Sequence, residues 1–262
     1  APPAAPSSPA PGPRAEEAPL GEDRGDFLTD VARAYLYPMQ PMTPLIVLGV
    51  AVVAGSLGYI PLVGPFLSAG LWVSLVFGAT RVAASGRDEL PGMEFEGFYE
   101  MALPGVRFLL ALFVPALLLG LLYAAAGAGS ASVEALLTGD ARFTFGSVPV
   151  LFWVAFLTWL VYLPASLILA AHSTGCLGGL NLVGGVTLIV REPIGYALTL
   201  AGVAPATAML VAIWAVAGAV DALVPVPFVV GVVGDALALI PAMVIGRILG
   251  LFIWHHEHEL GF

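Results

Sequence analysis

"FVVGVVGDALALIPAMVIGRILGLFIW", residues 228–254, carries only two charged side chains, Asp235 and Arg247, in an otherwise apolar or small-residue run. Its length exceeds the roughly 18 to 20 residues needed to cross a hydrocarbon core about 30 Å thick. The rest of the chain repeats the pattern. It is 59% apolar and 10% charged, with a mean hydropathy of +0.97. A soluble domain of 262 residues would need more charge to cover its surface. The expected fold is therefore all-α, a polytopic transmembrane bundle of about six spans at 43–60, 63–82, 104–126, 148–171, 194–220 and 228–254. Short interfacial helices accompany it. The Gly-rich "GCLGGLNLVGG", 175–185, is too short and too rich in glycine for a span, and reads as interfacial or re-entrant.

Residues 1–22 are of different material. They are dense in proline and alanine, end in a small acidic cluster, and cannot bury enough apolar surface to fold. They read as a disordered tether. A chain opening at Ala1, not at methionine, is expected to have continued upstream. In 23–42, Phe27, Val31, Ala34 and Tyr35 share one helical face, with Asp30 and Arg33 on the other. That spacing predicts a short interfacial amphipathic helix ended by Pro38. The transmembrane domain then covers 43–254, and 255–262 is a polar cytoplasmic tail.

Composition excludes several functions. There is no lysine, so a lysine-bearing phosphate loop and Schiff-base chemistry are absent from these residues. A net charge of −9 argues against nucleic acid as a partner. Cys176 is the single cysteine, which rules out an internal disulfide or a cysteine metal cluster. The arginines orient the bundle. Arg24 and Arg33 precede the first span, Arg81 and Arg87 follow the second, and Arg191 precedes the fifth; Arg142 alone falls opposite. The positive-inside rule then puts both termini in the cytoplasm, in a cell inner membrane.

Three pieces share a pattern: "AYLYPMQPM" before the first span, "ASGRDELPGMEFEGFYE" between the second and third, and "GRILGLFIWHHEHELGF" at the end. Together they resemble an uncharacterised family of prokaryotic multi-pass membrane proteins, a domain of unknown function. That family has a Tyr-Pro before its first span, here Tyr37-Pro38. It has a Gly-x-Asp-Glu-x-Pro loop, here 86–91, and a closing Arg-x-Leu-Gly helix, here Arg247 to Gly250, with a Leu-Gly-aromatic tail at 260–262. The resemblance covers roughly 26–262. It implies no catalytic residue and no cofactor, and it implies that some relatives carry a soluble N-terminal module, often a zinc ribbon.

Candidate sites are few. In "HHEHE", 255–259, His255 with His258 or Glu259 falls at i, i+3 or i+4, a spacing suited to two metal ligands. A closed site needs more, and His172 is the only other histidine. The tail is expected instead to be the solvated end of the last span, with Trp254 as its interface anchor. Charges within membrane depth are costly and so are the stronger candidates: Asp235, Asp221, Arg107 and Arg247. The two arginines lie near a boundary and are expected to snorkel to headgroups, and Asp221 to cap the outer end of the fifth span. "VVGDALALIPAM", 232–243, faintly resembles intramembrane aspartyl proteases, but Val232 and Met243 depart from their motifs. Gly246 and Gly250 fit the small-xxx-small pattern of close helix packing. The reading that emerges is non-enzymatic: a membrane anchor or scaffold whose partners are the bilayer, other membrane proteins or a second copy. The alternative is a small-solute or ion transporter or channel with Asp235 as its intramembrane acid.

Overall fold

The computed structural model describes residues 26–61, 63–92, 102–112, 117, 150–173, 175, 177–223 and 227–260. Among them are eight α-helices and no strand. In chain order these are α1 (Phe27–Ala34), α2 (Thr43–Leu57), α3 (Gly64–Ala84), α4 (Ala102–Leu112), α5 (Val150–His172), α6 (Leu182–Arg191), α7 (Pro193–Leu223) and α8 (Pro227–Leu260). Single 3₁₀ turns stand at Tyr37–Met39 and Gly178–Leu180. The tether, 1–22, lies outside the described residues, as do Cys176, Arg142 and most of the expected third span.

Four helices are long and apolar enough to cross a membrane: α3, α5, α7 and α8. Six were expected. The difference lies in α2, whose 15 residues span only about 22 Å, and in 104–126, of which 104–112 and 117 are described.

α8 is the axis. It packs against α2, α3, α7 and α1. Leu239, Met243, Val244, Ile248, Leu249 and Phe252 are almost wholly buried along it. Two helices of apolar side chains gain little from leaving lipid, so contact rests on close packing, which small residues allow. Gly246 and Gly250 supply it. A Cβ on Gly246 would lie 2.5 Å from the Val76 carbonyl oxygen, and one on Gly250 would meet the Thr80 carbonyl and Ala83. The four-residue step is the same on both helices, so α3 and α8 run parallel. On the other flank Gly234 faces Ala217 and Ile248 faces Gly202, which makes α7 antiparallel to α8.

α2 starts with Pro44 in its first turn, where the missing N–H costs nothing. Val47, Val50, Ala51 and Ala54 face inward, while Leu45, Leu48, Val52 and Val53 are exposed. Such outward apolar faces, which recur on α5 and α7, are what a lipid solvent requires.

Prolines Pro164, Pro205 and Pro241 lie inside continuous helices; Pro115 falls outside the described residues. At Pro164 the helical ladder is opened and refilled. The Tyr196 hydroxyl, reaching in from α7, donates to the Val161 carbonyl at 2.6 Å and accepts from the Ala165 N–H at 3.1 Å. In α8 the departure from helical backbone is at His256 (φ −114°, ψ 18°), not at Pro241.

Candidate functional site

The polar groups gather at one end of this axis. Arg247 comes off α8 one turn before the helix clears α3, and its guanidinium is 8% exposed. It donates to the backbone carbonyl of Arg87 and to the Asp88 carboxylate, and lies 5.2 Å over the Tyr37 ring. Tyr37 in turn donates its hydroxyl to the Glu89 carbonyl at 2.9 Å, and Gln40 donates to the Asp88 carbonyl at 2.8 Å. The guanidinium fork matches these partners, with one arm for a neutral carbonyl, one for a carboxylate, and the flat face left for an aromatic ring.

The 86–91 loop is shaped for this grip. Gly86 takes φ +70°, a left-handed turn open to glycine at little cost. A Cβ there would stand 2.6 Å from the Trp254 indole nitrogen. The chain then doubles back until Pro91 meets Gly78 of α3. Burial pushes the Tyr37 phenol up to about 12, against the lowering pull of the Arg247 cation.

The structure thus joins the three segments that carried the family resemblance, at Tyr37, 86–91 and Arg247. It also corrects the expectation that Arg247 snorkels to headgroups. A carbonyl and a carboxylate of the protein lie within its reach, so it turns inward. Arg107, given the same expectation, is likewise buried, on α4 where Gly105 sits on Gly70 of α3.

The histidine tail is also more engaged than expected. His255 Nε2 lies 3.0 Å from Asp30 Oδ2, with only 7% and 18% of the two side chains exposed. Phe27 of α1 sets its ring edge-on to both His255 (5.3 Å) and His256 (5.6 Å). His256 bonds the Phe252 carbonyl at 2.9 Å and approaches Glu192 at 3.9 Å. Asp30, expected on the wet face of α1, is covered by the end of α8; Arg33 remains 74% exposed. His258 and Glu257 are exposed, and the Glu259 side chain is outside the described residues. His172 bonds the Ile168 carbonyl of its own helix at 3.1 Å. Among the described residues no three His, Cys, Asp or Glu side chains group to hold a metal ion.

The two acids expected within membrane depth lie elsewhere. Asp235 is half-buried and Asp221 exposed, and both line a cavity of about 220 Å³ between α7 and α8. Asp221 falls within the last turn of α7. Asn181 caps α6 by accepting from the Gly184 N–H at 3.0 Å.

Arg247, Tyr37 and Gln40 together form a clamp on the 86–91 loop, and between α1, that loop and α8 it borders a cleft of about 630 Å³. Asp30, Arg33, Gln40, Asp88, Arg247 and Trp254 line it, with Leu36 and Leu251.

The long apolar helices place the chain among α-helical membrane proteins. Comparison with family models, with curated proteins and with solved structures finds no match in any of the three.

Proposed function

We propose that this chain is a non-enzymatic integral membrane anchor or scaffold of about six spans, displaying a tethered N-terminal module at the cytoplasmic face of an inner membrane. The observation that carries the reading is the clamp. Arg247 and Tyr37 hold the 86–91 loop, and His255 meets Asp30, which fastens the α1 segment and that loop to the end of α8. Such a site holds chain in place; it leaves no activated nucleophile or general base aimed at a substrate.

Helix lengths support one polar face. The Tyr35 hydroxyl reaches the Gly202 carbonyl of α7 at 2.6 Å, beside the clamp. From Gly202 to Leu223 is about 32 Å of helix, and from Arg247 back to Pro227 about 30 Å, each close to the thickness of a hydrocarbon core. α2 supports a span beyond its length, since Tyr59, just past its end, lies 5.8 Å from Phe228 at the far end of α8. Arginine placement then makes the clamp face cytoplasmic, with both termini on that side. The resemblance to prokaryotic multi-pass proteins fits this assignment.

The alternative, a transporter or channel, has its own supporting observation. Asp235 lies about 18 Å along α8 from Arg247, deep by this measure, and shares its cavity with Asp221. Reconstitution separates the two. The anchor reading expects no proton-linked flux from the protein and none changed by Asp235→Asn. A pH-dependent flux that the parent carries and Asp235→Asn lacks would establish the transporter instead.

A further inference from the structure

The clamp does not use up the cleft beside it. At about 630 Å³ it falls within the roughly 300 to 1,000 Å³ of small-ligand sites. Arg33 and Asp88, at its rim, are 74% and 85% exposed. Its four charged linings, Asp30, Asp88, Arg33 and Arg247, sum to zero. A simple anion would meet two carboxylates there and a simple cation two guanidiniums. A zwitterion offers each its opposite.

The apolar side of the cleft leads outward. Leu36 is on its wall, and the chain from there into α2 carries further exposed apolar side chains, Met39, Met42 and Leu45, all between 62% and 75% exposed like Leu36 itself. In water such a set is a liability; beside a bilayer it is a track for hydrocarbon. A polar, charge-balanced cleft that opens onto an apolar track matches a phospholipid, with its headgroup in the cleft and its chains along the track.

Which headgroup follows from the donors. The Asp88 carboxylate, mostly in solvent, accepts N–H bonds, which a primary ammonium offers and a trimethylammonium does not. Of the two aromatic rings that line the cleft and would suit a quaternary ammonium, Tyr37 is covered by Arg247 and Trp254 is already packed against His255 at 4.7 Å. Arg33 stands 3.6 Å from Asp30, beyond hydrogen-bond length, so its fork is available to a phosphate. We propose that this cleft is a binding site for phosphatidylethanolamine, its phosphate on Arg33 and its ammonium on Asp88. The inference rests on the membrane-embedded reading above.

The test uses the full chain in detergent, exchanged against mixed micelles holding equal phosphatidylethanolamine, phosphatidylglycerol and phosphatidylcholine. Retained lipid is then counted by native mass spectrometry. The parent should retain phosphatidylethanolamine in preference to the other two. Arg33→Gln should lower that retention by roughly three- to tenfold, the range for one charge-assisted contact at an exposed site. Arg81→Gln makes the same change of charge on the same face but outside the cleft, at the exposed last turn of α3, and should leave retention unchanged. Equal retention of phosphatidylglycerol or phosphatidylcholine by the parent overturns the proposal. So does an equal effect of the two arginine variants, which would mean general attraction only. The parent's preference decides the headgroup even if a variant folds poorly. Detergent retention is independent of which face of the membrane the cleft takes, so its failure is separable from a failed topology.

Discussion

Replacing Arg247 with methionine keeps most of the side chain's volume in the packed end of α8 and removes its fork of donors. Three losses follow. The Arg87 carbonyl loses a charged donor, a contact of about 1.5 to 3 kcal/mol when it stays dry and less where water replaces it. The cation over the Tyr37 ring contributes about 0.5 to 1 kcal/mol. The pair with Asp88 adds little, about 0 to 1 kcal/mol, because that carboxylate is 85% exposed and solvated already. With rehydration of the loop carbonyl allowed for, the net cost is about 2 to 3 kcal/mol, concentrated on the 86–91 loop. Local opening of that loop should therefore rise roughly 30- to 150-fold. Limited trypsin digestion in detergent reads this directly, because cleavage after Arg87 requires the loop to leave α8, and the cutting rate follows the open population when reclosing is fast. Arg247→Lys, which keeps the charge but not the fork, should fall between. A cleavage rate in Arg247→Met equal to the parent's would refute the clamp as the loop's fastening.

Other positions give shorter tests. Gly250→Val should lower the unfolding midpoint in a denaturing-detergent titration by overfilling the α3 contact, about 1 to 3 kcal/mol or more, whereas Gly49→Ala, with open space around it, should not. Tyr196→Phe should cost about 1 to 3 kcal/mol by stranding the Val161 carbonyl and the Ala165 N–H, read in the same titration. The Tyr37 phenol, raised from 10.0 to about 12 in the fold, contributes stability that is complete below pH 10 and lost as pH climbs toward 12. Tyr37→Phe should flatten that part of the stability curve, and an unchanged slope would count against the buried phenol.

The four long helices, α1 and α2 were legible because their signals are local, whereas α6, beginning inside the Gly-rich piece, was not. The apolar run 228–254 lies within α8, Pro44 and Pro65 mark the first turns of α2 and α3, and the face of Phe27, Val31 and Ala34 defines α1. What joins them was not. Arg247 meets Arg87 and Asp88 across about 160 positions of sequence, and His255 meets Asp30 across 225. Periodicity says that Asp30 lies on the polar side of α1, but not that another polar surface covers it. A weak signal for the clamp did exist: a lone arginine in an apolar helix requires a partner, and Asp88 and Glu89 are carboxylates in a loop that the arginine placement puts on the same side. Choosing protein over headgroup needed the fold-back of the loop along α3, which depends on Gly78 and Gly86 giving room to Pro91 and Trp254.

The central claim is that this is a membrane-spanning scaffold with its clamp at the cytoplasmic face, and thiol accessibility tests it most directly. In a Cys176→Ser background, one cysteine replaces Glu89 in the clamp loop, where the side chain is 75% exposed, and in a second protein one replaces Ile60, 47% exposed, in the turn between α2 and α3. A membrane-impermeant reagent should label Ile60→Cys in intact cells and Glu89→Cys only in inverted vesicles. Labelling of both from the same side would mean that α3 does not cross the membrane, and would contradict the account.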